Sequence, residues 1–167
     1  MFFIEMPAWD VTLRLVSAAV LGMVVGLERE LRRKPAGMRT HMLVATGASA
    51  FIIIGVELVT VTLEDDNIRA DPTRIIEGVI GGIGFLGAGA IIKGNGDVTG
   101  LTTGASVWVA GAIGIACGVG YFDIAALLAV IVLVIVYVLG RVEAAAMRAM
   151  DRAAGRDTPK ERHDGSE

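Results

Sequence analysis

From Val98 to Phe122 the chain carries no charged side chain over 25 consecutive positions. A bilayer hydrocarbon core about 30 Å thick needs roughly 20 mostly apolar helical residues to cross it. Four other stretches have the same character, so five spans are predicted: Trp9–Leu27, Thr40–Leu63, Thr73–Ile92, Leu101–Phe122 and Ile124–Gly140. Helices are expected because a backbone in lipid must satisfy its hydrogen bonds internally. The predicted fold class is therefore all-α, a polytopic membrane helix bundle. Composition agrees, with 54% hydrophobic residues and a mean hydropathy of +0.65. Such a chain is not disordered, and a soluble enzyme is disfavoured.

Lys and Arg placement gives a direction. The first loop holds Arg29, Arg32, Arg33, Lys34 and Arg39; the third holds Lys93; the end of the chain holds Arg141, Arg148, Arg152, Arg156, Lys160 and Arg162. These are 12 of the 15 basic residues. Five spans with the N-terminus outside and the C-terminus in the cytoplasm put all of them on one side. The acidic second loop, with Glu64, Asp65, Asp66 and Asp71, falls outside and reads as a solvated turn or a weak cation site. Residues 1–140 form the membrane domain. The Ala-rich stretch 141–155 is expected to continue the fifth helix into the cytoplasm, and the polar segment 156–167 to be disordered.

A formal net charge of −3 gives no support to nucleic-acid binding. The lone Cys117 cannot form an intrachain disulfide, and two His with no CxxC or HExxH pattern make a zinc site improbable. No nucleophile and base are seen together, so the expectation is no enzyme and no cofactor. The first ten residues contain no Lys or Arg, unlike a cleaved signal peptide with a basic start.

Fourteen of the 22 glycines fall between Gly78 and Gly120. Small residues let membrane helices approach closely, because lipid supplies no hydrophobic drive for association. Gly22/Gly26, Gly78/Gly82 and Gly114/Gly118 are GxxxG pairs, and Gly82, Gly84, Gly87 and Gly89 crowd the third span. Close packing is the default; unwinding of the third helix to expose carbonyls to an ion is the alternative. The GxGxxG at Gly82–Gly87 lies inside one apolar span, without the strand and acidic residue that a dinucleotide site needs.

Ionisable residues within the membrane are functional candidates. Arg14, Glu57 and Glu77 lie at similar depth, on the order of 5–9 Å inside the outer ends of their spans. They would form either an ion pair that fixes helix register or a substrate or proton site. On the cytoplasmic face stand Glu28, Arg29 and Glu30, then Arg39, Thr40 and His41, and the pair Thr102 and Thr103. Arg39 with Thr40 suggests a helix start able to hold an anion, and Thr102 and Thr103 suggest caps of the fourth span. His41 reads as a hydrogen-bonded interface residue.

Three segments, RLVSAAVLGMVVGLERELRRKPAGMRTHMLVATGASAF, DPTRIIEGVIGGIGFLGAGAII and GLTTGASVWVAGAIG, resemble the MgtC/SapB family of bacterial inner-membrane proteins. The resemblance covers about residues 11–140. It implies a bacterial plasma-membrane protein of about five spans, associated with growth at low magnesium and survival inside hosts. It also implies that members regulate other membrane machinery, ATP synthase included. Positions matching the family's motifs include Arg14, Gly22, Gly26, Glu28, Arg29, Arg39, Thr40, His41, Asp71, Arg74, Gly82, Gly84, Gly87, Gly89, Thr102 and Thr103. Two departures stand out. Longer members carry a soluble C-terminal domain, whereas 27 residues follow Gly140 here. Glu77 stands where the better-known members are expected to have a neutral polar residue.

Two functions fit. One is a regulator that binds other membrane proteins through its small-residue faces. The other is a transporter or channel for Mg2+ or another small ion, for which Glu57, Glu77 and Asp71 would be oxygen ligands. A homodimer would supply the symmetry that the single chain lacks. The expected surroundings are the lipid bilayer and other membrane proteins, not nucleic acid.

Overall fold

The computed structural model describes residues 6–62, 71–94 and 97–153. Five helices are seen among them: α1 (Ala8–Leu31), α2 (Met38–Thr62), α3 (Pro72–Gly89), α4 (Leu101–Val119) and α5 (Phe122–Ala153). A short antiparallel hairpin, β1 (Ile92–Gly94) and β2 (Asp97–Thr99), separates α3 from α4. The helix bounds lie close to the five predicted spans. α1, α2, α4 and α5 are each long and apolar enough to cross a membrane. α3 has 18 residues and is about 27 Å long at 1.5 Å per residue. It is continuous from Pro72 to Gly89, so its glycines do not unwind it.

The ends of the helices follow from local chemistry. Asp71 caps α3, accepting from the Thr73 amide at 2.9 Å, and Pro72 follows in the first turn, where no amide hydrogen is needed. α1 ends in a Schellman-type turn: the Lys34 amide reaches the Arg29 carbonyl at 3.0 Å, with Arg33 in the left-handed region at φ 54°. α4 ends the same way at Gly120, φ 97°, where glycine carries no steric penalty. Gly100, φ 87°, opens α4, and a Cβ there would collide with the Ala90 carbonyl.

The chain divides into two compact units, Met1–Leu133 and Val134–Glu167. In the first, α4 is the most buried helix and packs against α1, α2 and α3. Its core is made of small side chains, with Ala18, Ala45, Ala48, Ala110 and Ala116 buried beside Ile52, Ile113 and Val107. Large apolar side chains point outward instead, including Leu13, Val16 and Val20 on α1 and Leu127 and Val130 on α5. This is the distribution a bilayer solvent favours, since lipid accepts Leu and Val while close helix approach needs small residues. On α5, Ala125, Ala129 and Val132 bury one helical face. The second unit holds the rest of α5, where Arg141 lies over the Tyr137 ring at 5.1 Å from its centroid. The acidic positions 64–66, Arg69 and the tail 156–167 lie outside the described residues.

Candidate functional site

A buried polar cluster forms where the end of α1 meets the starts of α2 and α4. It depends on glycine. A Cβ on Gly22 would sit 2.6 Å from the His41 carbonyl oxygen, and one on Gly26 would sit 2.6 Å from Met38 Cα. The first GxxxG pair therefore lets α1 lie against the backbone of α2. Gly114 and Gly118 do the same for α4, against the backbone of α2 at Ala45 and Ser49. These two seams bring the first turns of α2 and α4 to the last turn of α1.

Arg29 is 3% exposed, and its Nη2 donates to Thr103 Oγ1 at 3.2 Å. His41 is wholly buried; its Nδ1 pairs with the Gly37 carbonyl at 2.8 Å and its Nε2 with Ser106 Oγ at 3.1 Å. Ser106 Oγ donates to the Thr103 carbonyl at 2.9 Å, which joins the two halves. Glu28 is ion-paired with Arg32, one turn on, while its Oε2 is buried without a hydrogen-bond partner among the described residues. Arg29 Nε is likewise unpaired. Buried polar atoms usually find partners, so these two stand out in the cluster, as Arg14 Nε and Ser49 Oγ do elsewhere in the bundle.

The structure brings Arg29 and Thr103 together and buries His41 between helices with a hydrogen-bond partner at each ring nitrogen. It corrects two details. Thr102 and Thr103 do not cap α4: its N-cap is Gly100, with no side-chain bond, Thr102 is exposed, and Thr103 is taken by Arg29. The α2 start holds an anion, but the chain supplies it, since the Met38 amide donates to Glu30 Oε2 at 2.9 Å. Arg39 and Thr40 are exposed there. Ser106 was missed, and Glu30 and Arg32 were named without the partners they take. Ser106 follows Thr103 by three positions and Arg32 follows Glu28 by four, which are the helix spacings that put side chains on one face.

At the opposite end of α1, Arg14 meets other partners than Glu57 and Glu77. Its Nη2 pairs with Asp10 at 2.9 Å and its Nη1 donates to the Gly118 carbonyl at 2.7 Å. Glu57 Oε1 accepts from the Met6 amide at 3.1 Å, and Glu77 is exposed on α3. Arg74 is exposed one turn beyond Asp71. Hydrogen bonds from the Thr73 hydroxyl and amide hold the Asp71 carboxyl below its ordinary range, with Arg74 adding to the effect.

Of the third-span glycines only Gly87 is packed against another helix, backbone to backbone with Gly104; a Cβ on Gly104 would be 2.7 Å from the Gly87 carbonyl oxygen. Gly82, Gly84 and Gly89 have open space where a side chain would be. Close packing within the chain accounts for Gly22, Gly26 and Gly87, while these three face no other described residue. Among the described residues no group of three His, Cys, Asp or Glu is placed to hold a metal ion.

The sequence model of the MgtC family matches residues 15–145, which include both ends of this cluster. The chain belongs to the MgtC family. The Protein MgtC of Salmonella typhimurium LT2 is 42% identical over 121 residues, 72% of this chain and 48% of that protein. A relative in Escherichia coli K12, named "Putative magnesium transporter YhiD", is 40% identical over 112 residues, 67% of this chain and 52% of its own length. A Haemophilus influenzae Rd protein named "Uncharacterized protein" is 43% identical over 123 residues, 72% of this chain and 52% of its own. The chain spans about half the length of these MgtC-family relatives. No solved structure matches it. Four membrane-capable helices and the MgtC match make it a membrane protein.

Proposed function

We propose that this protein sits in the bacterial inner membrane and acts in adaptation to low magnesium by regulating other membrane proteins, with no enzymatic reaction of its own. The observation that carries the reading is the outward face of α3. Glu77, Gly81 and Phe85 are exposed one turn apart, Phe85 to 81%, and neither Gly81 nor Gly84 has a neighbour where a side chain would stand. A face of this kind gives another membrane helix close backbone approach, with a carboxylate and a ring beside it. The family resemblance makes ATP synthase the first partner to test, and a second copy of the chain the next. The twelve basic residues favour an external N-terminus and a cytoplasmic C-terminus.

A second reading is transport of Mg2+ or another small ion. The name of the E. coli relative and the unpaired Glu28 Oε2 favour it. Flux into proteoliposomes separates the two. The regulatory reading expects no Mg2+ movement by the purified protein, poor growth of a deletion strain in low Mg2+, and failure of Gly84→Leu to restore that growth. Mg2+ flux that falls with Glu28→Gln would replace regulation by transport.

A further inference from the structure

α2 and α3 touch where Ile75 fills the notch at Gly55, and beyond that point they leave a groove of about 660 Å³. Three glycines keep it open: a Cβ on Gly47, Gly78 or Gly82 would meet nothing within 4 Å. Exposed Phe51 and Leu86 stand along its sides. Every residue lining it is apolar except Arg74, at the α3 N-terminal end. The Arg74 guanidinium makes no hydrogen bond or ion pair among the described residues. Asp71 is close enough to feel its charge, but it makes no ion pair with Arg74, and its Oδ1 accepts both bonds from Thr73 at the helix start.

We propose that this groove holds an acyl chain of an anionic glycerophospholipid, with the lipid phosphate on the Arg74 guanidinium. Length, volume and charge agree. From Arg74 to Leu86 is twelve residues, or about 18 Å of helix. That is close to the depth of one leaflet, half of a hydrocarbon core of about 30 Å, and the cation lies at the end where a headgroup would be. A volume of 660 Å³ is that of a small-molecule site. The guanidinium fork matches two phosphate oxygens at once. The site is separate from the outward face of α3 and does not depend on the regulatory reading.

The test is native mass spectrometry of the full chain, delipidated in mild detergent and titrated with phosphatidylglycerol. One phosphatidylglycerol should bind saturably. Gly82→Leu, whose Cβ would meet nothing within 4 Å, should weaken binding at least tenfold at unchanged melting temperature. Gly47→Leu, from the opposite wall, should do the same and serves if the first variant fails to fold. Arg74→Gln should weaken binding about tenfold, and Arg74→Lys less. Binding undiminished by either leucine overturns the site, and binding undiminished by Arg74→Gln overturns the headgroup contact. Absence of saturable lipid binding, or crosslinking through Gly47 and Gly82 to a second copy, overturns the proposal.

Discussion

Arg14 Nη1 donates to the carbonyl oxygen of Gly118 across 2.7 Å, although 104 positions separate them in the chain. Gly118 lies in the last turn of α4, where carbonyls lack helical partners and the helix dipole is negative. The guanidinium therefore completes α4 from α1 while Asp10 holds it from one turn below. Replacing Arg14 with Ala strips a carbonyl and a carboxylate of their donor. We expect a loss of about 1–3 kcal/mol, read as a lower midpoint in detergent unfolding. Arg14→Lys should recover only part, because one ammonium does not reproduce the fork. A wild-type midpoint for Arg14→Ala would refute the role.

The backbone seams give a contrast within one residue type. Gly114→Ala sets a Cβ against the Ala45 carbonyl, whereas Gly84→Ala sets one in open space. Gly114→Ala should cost about 1–3 kcal/mol through overpacking. Gly84→Ala should be neutral or slightly stabilising, since Ala is the better helix former. Melting curves in one detergent, monitored by size exclusion, make the comparison.

Thr103→Val keeps the shape of the side chain and removes the oxygen that Arg29 donates to. Hydrogen bonds to charged groups are worth about 1.5–3 kcal/mol, and Arg29 is buried with its Nε already unpaired. Destabilisation of that size is expected, and Thr103→Ser should restore most of it. Equal midpoints for the Val and Ser variants would show that the hydroxyl does not matter.

Asp71 supplies a pH dependence. Its folded carboxyl titrates below its ordinary value, so its contribution to the α3 start is fully present above the unfolded pKa. It is lost as pH falls through the lower folded value. Hydrogen exchange at the start of α3 should quicken in acid in the wild type beyond the intrinsic pH trend. Asp71→Asn keeps an acceptor oxygen for the Thr73 amide and should follow that trend alone. The same extra step in the Asn variant would assign it to another group.

The spans were legible because hydropathy acts over a few residues. The caps were not, since Thr102 and Thr103 read as caps of α4, whereas Asp71, which reads as part of an acidic loop, is the residue that caps α3. The hairpin was not foreseen, although Asn95-Gly96 is a strong turn signal between short strands. Partners were harder. Depth placed Arg14 level with Glu57 and Glu77, but depth says nothing of rotation about a helix axis, and the nearer Asp10 at i−4 took the charge. Glycine spacing also marked Gly22/Gly26 and Gly78/Gly82 alike. Only the neighbouring helices distinguish them: α2 covers the first pair, and nothing fills the space beside the second.

The central position of α4 bears on how the protein is made. α1 and α2 leave the ribosome first and can close on each other through Gly22 and Gly26. Until α4 follows, Arg29 lacks Thr103 and His41 lacks Ser106, so the early hairpin has two buried polar side chains each short of a partner. A vulnerable interval is therefore expected between the end of α2 at Thr62 and the start of α4 at Leu101. A nascent chain stalled before Leu101 should be retained by the insertion machinery or degraded, and one released after Gly120 should be stable; pulse-chase of truncated chains would measure it.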